Sequence, residues 1–383
     1  MPRLPWTARG FVRCRRGEHA VILRVHNNLP GSHAMSFKRF QSGLRAFLMP
    51  ALLAASVSVH AGSFSGIFVF GDSLSDTGNL SLVTAGSADP QPNPTQPYDG
   101  GRFSNGPLWV EGLASGLGLA GQANPFLLGG NNFAFAGART GTSDSPPGVL
   151  AQAFGIWGGG LAPNPLRADP DALYVVVGGG NDMRDARLAF TGDTAADVLG
   201  RQTAAAQAID GLAQTIAYLA ASGARHVLIA SLPDLGNTPE AALLGLKAAS
   251  SDASQHFNAL VPLLFGLESI FAGLNIELLD MAGIASNVLA NASDFGVTNT
   301  DLPCGTFLYS AGADCATSLF SDVLHPSAFV HGLFAQAALG IYGVPVPGTL
   351  ALMVLALLVL VGVQRNRAGR GSVMVAGLRP VAR

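Results

Sequence analysis

A chain of 383 residues can form one large domain or two small ones, and with 49% hydrophobic against 12% charged residues it can bury a sizeable core. A net charge of -2 supplies no basic face, which argues against nucleic acid as a partner. The 48 glycines gather in pairs and triplets beside apolar runs, as suits tight turns at strand ends in an α/β protein.

Residues 1–34 are arginine-rich and aperiodic. They read either as a long leader or as sequence upstream of a start at Met35. Residues 35–61 have the order of a signal peptide: Lys38, Arg39 and Arg45, then the apolar run Ala46 to Val59, then His60-Ala61. Export is therefore expected. Cys14 lies in the part expected to be lost, leaving Cys304 and Cys315 as a pair in an oxidising compartment. Their spacing fits no metal motif, so a local disulfide is expected, with no metal and no cofactor.

From residue 62 to 343 strands alternate with helices. Ile67 to Phe70 is a short continuous apolar run, as in a strand buried on both faces. Pro107 to Leu119 reads as a helix, with Ser104 or Asn105 available to cap it. Strands are expected at Asn132 to Ala136, Leu173 to Val177, Val227 to Ala230 and Ile276 to Leu279. Helices are expected over Ala195 to Ala221, Ser254 to Phe271, and Pro326 to Ile341. This alternation predicts one domain with a parallel five-stranded sheet covered by helices on both faces. Sites in such sheets form beyond the carboxyl ends of the strands, so polar residues just after strands are the ones to examine.

Gly71-Asp72-Ser73-Leu74 follows the first strand, on a turn able to expose the Ser73 hydroxyl. A phosphate loop is excluded, because no Gly-Lys-Ser/Thr follows. Near the other end, Asp322-Val323-Leu324-His325-Pro326 holds His325 out of helical geometry ahead of a proline, with Asp322 three residues back to orient it. Ser73, Asp322 and His325 together supply a nucleophile, an orienter and a base. No G-x-S-x-G elbow is present, which argues against an ordinary α/β-hydrolase.

Five blocks in order make the chain resemble the GDSL, or SGNH, hydrolases: Gly71 to Asn79, Gly101 to Pro107, Asn132 to Ala138, Gly179 to Asp182, and Asp322 to Pro326. The resemblance implies a three-layer α/β/α sandwich of flavodoxin-like arrangement. It also implies hydrolysis of carboxylic esters of a lipid or acylated carbohydrate, and an oxyanion hole formed by Ser73, Gly137 and Asn181. An asparagine amide and a glycine N–H are suitable donors to a developing oxyanion. An acyltransferase or a phospholipase of the same family, or a silent surface or matrix protein that keeps the fold, stay open as alternatives. Acyl-chain preference is expected to depend on the loops Ala85 to Tyr98 and Gly141 to Leu166. Residues 344–383 carry Pro347-Gly348, the apolar run Thr349 to Val363, and then Arg365, Arg367 and Arg370. That order resembles a PEP-CTERM sorting tail, although Val346 stands where such tails usually have Glu. The resemblance implies a transient membrane hold and processing by an exosortase-like enzyme; a simple membrane anchor is the alternative.

Overall fold

The computed structural model describes residues 64–93, 98–304 and 313–344, all within the unit Val59–Arg383. The expected leader, the signal segment and the apolar run of the tail lie outside the described residues. Strands β1 (Ile67–Phe70), β2 (Leu173–Val176), β3 (His226–Ala230) and β4 (Asn275–Leu279) form one parallel sheet in that order. Ile67 stands opposite Leu173, Leu173 opposite His226, and His226 opposite Asn275, so the strands start level with one another.

The fifth strand expected at Asn132 to Ala136 is replaced by an irregular edge. Asn132 forms a single bridge with Val69, and the Phe133 and Phe135 N–H groups donate to Val69 O at 2.7 Å and Gly71 O at 3.1 Å. The physical reason lies in two of its residues. The Asn132 carboxamide donates to Ser75 O at 2.7 Å and Thr77 Oγ1 at 3.0 Å, drawing the chain toward the β1 turn. Gly137, at φ 82°, then bends it away, and a turn closes from Ala138 N–H to Phe135 O at 3.1 Å. With this edge beside β1, the chain segments lie in the order 2-1-3-4-5 of flavodoxin-like sheets, which reverses at β1.

Side-chain alternation along the strands builds two cores. Phe70, Tyr174, Val176, Val227, Ile229 and Ile276 face α4 (Ala195–Ala221) and α5 (Lys247–Leu260). Ile67, Val69, Leu173, Val175, Leu228 and Leu279 face α2 (Trp109–Gly116), α6 (Met281–Ala290) and α7 (Ala328–Ile341). The result is the expected three-layer α/β/α sandwich.

Several boundaries differ from those expected. Helix α4 keeps its expected bounds, with Thr194 and Asp197 capping it reciprocally, each accepting the other's backbone N–H. The expected helix at Ser254 to Phe271 starts earlier, as α5, and turns into a 3-10 helix at Val261–Ser269, where Pro262 has no N–H to continue the α-helix. The helix α3 (Gly180–Ala189) and the parallel pair β5 (Asn299–Pro303) with β6 (Ser318–Phe320) were not anticipated. Cys304 and Cys315 are joined, linking the end of β5 to the turn that enters β6.

Candidate active site

Ser73 lies just beyond β1, where the strand order reverses, on a turn fixed from several sides. Buried Gln152 accepts the Gly71 N–H and donates to the Gly71 carbonyl, both at 2.8 Å. The Ser75 and Asp76 N–H groups return to Asp72 O at 3.0 and 2.9 Å. The Asp76 carboxylate is fully buried and accepts four backbone N–H groups. Those of Gly78, Asn79 and Leu80 open α1 (Asn79–Thr84), and that of Ala136 belongs to the irregular edge. Asp76 thus ties the nucleophile turn to the segment that carries Gly137.

His325 is held in the loop ahead of α7 by the Gly101 to Pro107 block. Ser104 Oγ donates to Pro326 O at 3.0 Å, and Asn105 Oδ1 accepts the Ala328 N–H at 3.0 Å. These side chains serve α7 rather than the helix that follows them in sequence. The N-cap of α2 is Leu108, whose N–H goes to Glu111 Oε2 at 2.8 Å. The Phe103 ring lies 5.0 Å from the imidazole, limiting where it can turn.

In the folded chain the three expected residues meet. His325 Nε2 lies 2.8 Å from Ser73 Oγ, and His325 Nδ1 lies 2.6 Å from Asp322 Oδ2. The other Asp322 oxygen accepts the Leu324 and His325 N–H groups at 2.7 and 2.6 Å. Tyr98, which the sequence did not single out for this, donates its hydroxyl to Asp322 Oδ2 at 2.6 Å. Burial alone would raise the Asp322 carboxyl, but the His325 ring and these donors outweigh it and hold it down to about 2. An ionised Asp322 fixes the tautomer with the Nδ1 proton, leaving Nε2 free to accept a proton from Ser73.

The expected oxyanion donors sit on three segments: Ser73 on the turn after β1, Gly137 on the irregular edge, and Asn181 on α3. Gly179, at φ 107°, packs so closely on Phe257 that a Cβ there would lie 2.3 Å from Cε2, and this tight turn starts α3. Asn181 sits in the first turn of α3, donates to Ala138 O at 2.9 Å, and receives Arg184 on its Oδ1 at 3.3 Å. Its amide is therefore oriented, with one N–H left over. Among the described residues, the Ser73 and Gly137 backbone N–H groups have no protein acceptor either. Ser73, Asn181 and His325 border one cavity of about 160 Å³, whose remaining wall is largely apolar.

Such an arrangement can activate a hydroxyl and neutralise charge on a carbonyl oxygen. A family model described as GDSL-like Lipase/Acylhydrolase matches residues 67–338. A Pseudomonas putida protein described as an uncharacterized protein in the trpE-trpG intergenic region is 33% identical, over 79% of this chain and 52% of its own. A phosphatidylcholine-sterol acyltransferase from Aeromonas hydrophila is 28% identical, over 72% of this chain and 78% of its own. Esterase EstA of Pseudomonas aeruginosa is 27% identical, over 78% and 50% respectively. The chain thus spans about half the length of the first and third of these relatives.

Proposed function

The chain belongs to the GDSL-like lipase/acylhydrolase family, and on that premise we propose that it hydrolyses carboxylic esters through an acyl-enzyme on Ser73. The observation that carries this reading is the unbroken contact from Asp322 through His325 to Ser73 Oγ. His325 Nε2 takes the Ser73 proton as Oγ bonds to the ester carbonyl carbon. The carbonyl oxygen becomes an oxyanion, held by the Ser73 and Gly137 N–H groups and the Asn181 amide. Collapse of this intermediate breaks the bond to the alkoxy oxygen, which leaves as alcohol with the proton from His325. Water then loses a proton to His325, attacks the acyl carbon and releases the acid, restoring Ser73. Tyr98 and the two backbone N–H groups keep Asp322 ionised throughout.

An alcohol in place of water would give acyl transfer, and the similarity to a protein named as an acyltransferase keeps that reading in view. The product ratio with a competing alcohol separates the two. A further part of the proposal is that the domain of residues 62–343 is exported behind the signal-like segment 35–61, with the tail 344–383 as a temporary membrane hold cut by an exosortase-like enzyme.

The direct test of the nucleophile is covalent labelling. A fluorophosphonate probe should modify the wild-type chain at Ser73, and Ser73→Ala should keep its fold, take no label and lose ester turnover. Labelling elsewhere, or turnover persisting in Ser73→Ala, would remove the assignment.

A further inference from the structure

The cavity beside Ser73 is walled by Leu235, Leu289, Leu319, Leu324 and Phe334, with Ala285 between them. Away from Ser73 and Asn181, several polar groups on its lining are already engaged within the protein. Asp234 accepts the Gly236 N–H at 2.8 Å and the Ser251 hydroxyl at 2.9 Å. Thr238 donates to Leu235 O at 2.7 Å and accepts the Ala241 N–H at 3.2 Å. The Arg184 guanidinium rests on both Glu240 oxygens at 2.6 and 3.1 Å. This wall suits a hydrocarbon chain better than a charged headgroup.

The room comes from one stripe of α6. Ala282, Ala285, Ser286 and Leu289 all line the cavity, at spacings that place them on one helix face, and three of the four are small. None of the described residues in the loops expected to govern chain length borders this cavity. We infer that the cavity is a binding site for the acyl chain of the ester, and that Ala285 sets how long a chain it accepts. This rests on the hydrolase reading of Ser73. The acyl group is the one assigned here because it stays bonded to Ser73 through both half-reactions. The alcohol must instead leave His325 Nε2 so that water can take its place, and an apolar cavity that held the alcohol would retard that exchange.

Burying one methylene is worth about 0.8 kcal/mol, or about fourfold in kcat/KM, until the cavity is full. The test uses two ester series on the purified chain: p-nitrophenyl esters from acetyl to palmitoyl, and acetates of alcohols of rising length. For the wild type, kcat/KM should climb with acyl length to a medium chain and then level off, while the acetate series stays flat. Ala285→Trp, and the milder Ala285→Leu should the larger residue disturb folding, should lower the octanoyl-to-acetyl ratio about tenfold or more. An unchanged ratio in a variant that melts like the wild type would overturn the role of Ala285. A dependence on alcohol length instead of acyl length would overturn the acyl assignment. Turnover indifferent to both lengths would remove the chain site alone, whereas a wild type that cleaves no ester would remove the hydrolase reading with it.

Discussion

His331, in the first turn of α7, is as buried as His325 but has a different setting. Its Nδ1 accepts the Trp109 N–H at 3.4 Å, and its Nε2 has no partner among the described residues. Burial, with a smaller contribution from His325, pushes its pKa from 6.5 down to about 3. The unfolded chain therefore binds a proton near pH 6.5 that the fold refuses until about pH 3. The stability His331 contributes is fully present above 6.5 and is lost as pH falls through that window. Asp322, lowered from 3.8 to about 2, loses its share only in more acid solution, between those two values. Asp72 works in the opposite sense. Burial raises it from 3.8 to about 6, so its contribution is present in acid and fades as pH rises between those values. Burial raises Asp76 and Asp182 in the same sense as Asp72, so the His331 contribution is read as a difference between two proteins. From pH 6.5 toward 3 the melting temperature of the wild type should decline relative to that of His331→Gln, which should also keep most ester turnover where His325→Gln abolishes it. Equal slopes for wild type and His331→Gln would refute the account. The sequence made Ser73, Asp322 and His325 legible because each lies in a short local pattern. Tyr98 and Gln152 reach their partners across 224 and 81 residues, and no periodicity marks such contacts. Arg184 stands three residues from Asn181 on one face of α3, a neighbour relation that exists only once that helix forms.

The strands β1 to β4 match their expected bounds to within a residue at each end, because β1 to β3 are largely buried on both faces and leave little choice of conformation, while the edge strand β4 still buries Ile276 and Leu279. The edge at Asn132 misled because its alternation of apolar residues suits a strand, while its asparagine and glycine serve the neighbouring turn. Helix α3 was hidden behind Gly178-Gly179-Gly180, which reads as loop. The pair β5 and β6 was hidden because Asn299–Pro303 is half exposed and mostly polar. This small sheet matters for the site, since β6 ends two residues before Asp322. The Cys304–Cys315 bond, with a sequence separation of 11, closes the chain across it. In the chain-entropy model a loop of that size is worth about 2–3 kcal/mol of stability. Replacing both cysteines by serine should lower the unfolding free energy by about that amount in a denaturant titration. Activity should also fade at lower temperature than in the wild type, because Asp322 and His325 follow directly on the strand released. Matching unfolding curves for the two proteins would show that β5 and β6 hold without the bond.

On the scale of the whole molecule, α7 is the closing piece. It packs against α2, contributes Val330, Phe334, Ala338 and Leu339 to the second core, and ends with the Val344 N–H returning to Leu339 O at 3.0 Å. The family match stops within this helix, at residue 338. The elements that position Ser73, Asn181 and His325 are therefore all in place before residue 345. The apolar run Thr349 to Val363 that follows is shorter than the roughly 20 apolar residues a membrane-spanning segment needs. In the proposed reading, Arg365, Arg367 and Arg370 keep the far end on the cytoplasmic side and the domain of residues 62–343 on the other. In that reading, so short an apolar run suits a temporary hold better than a permanent one. Deleting residues 345–383 should leave kcat and KM on soluble esters unchanged and alter only where the protein is found. The intact mass of the protein from its native host should correspond to a chain that lacks both the signal-like segment 35–61 and the run Thr349 to Arg383. A mature species that still carries that run would mean a stable anchor, and a deletion that impaired turnover would mean that the tail supports the fold.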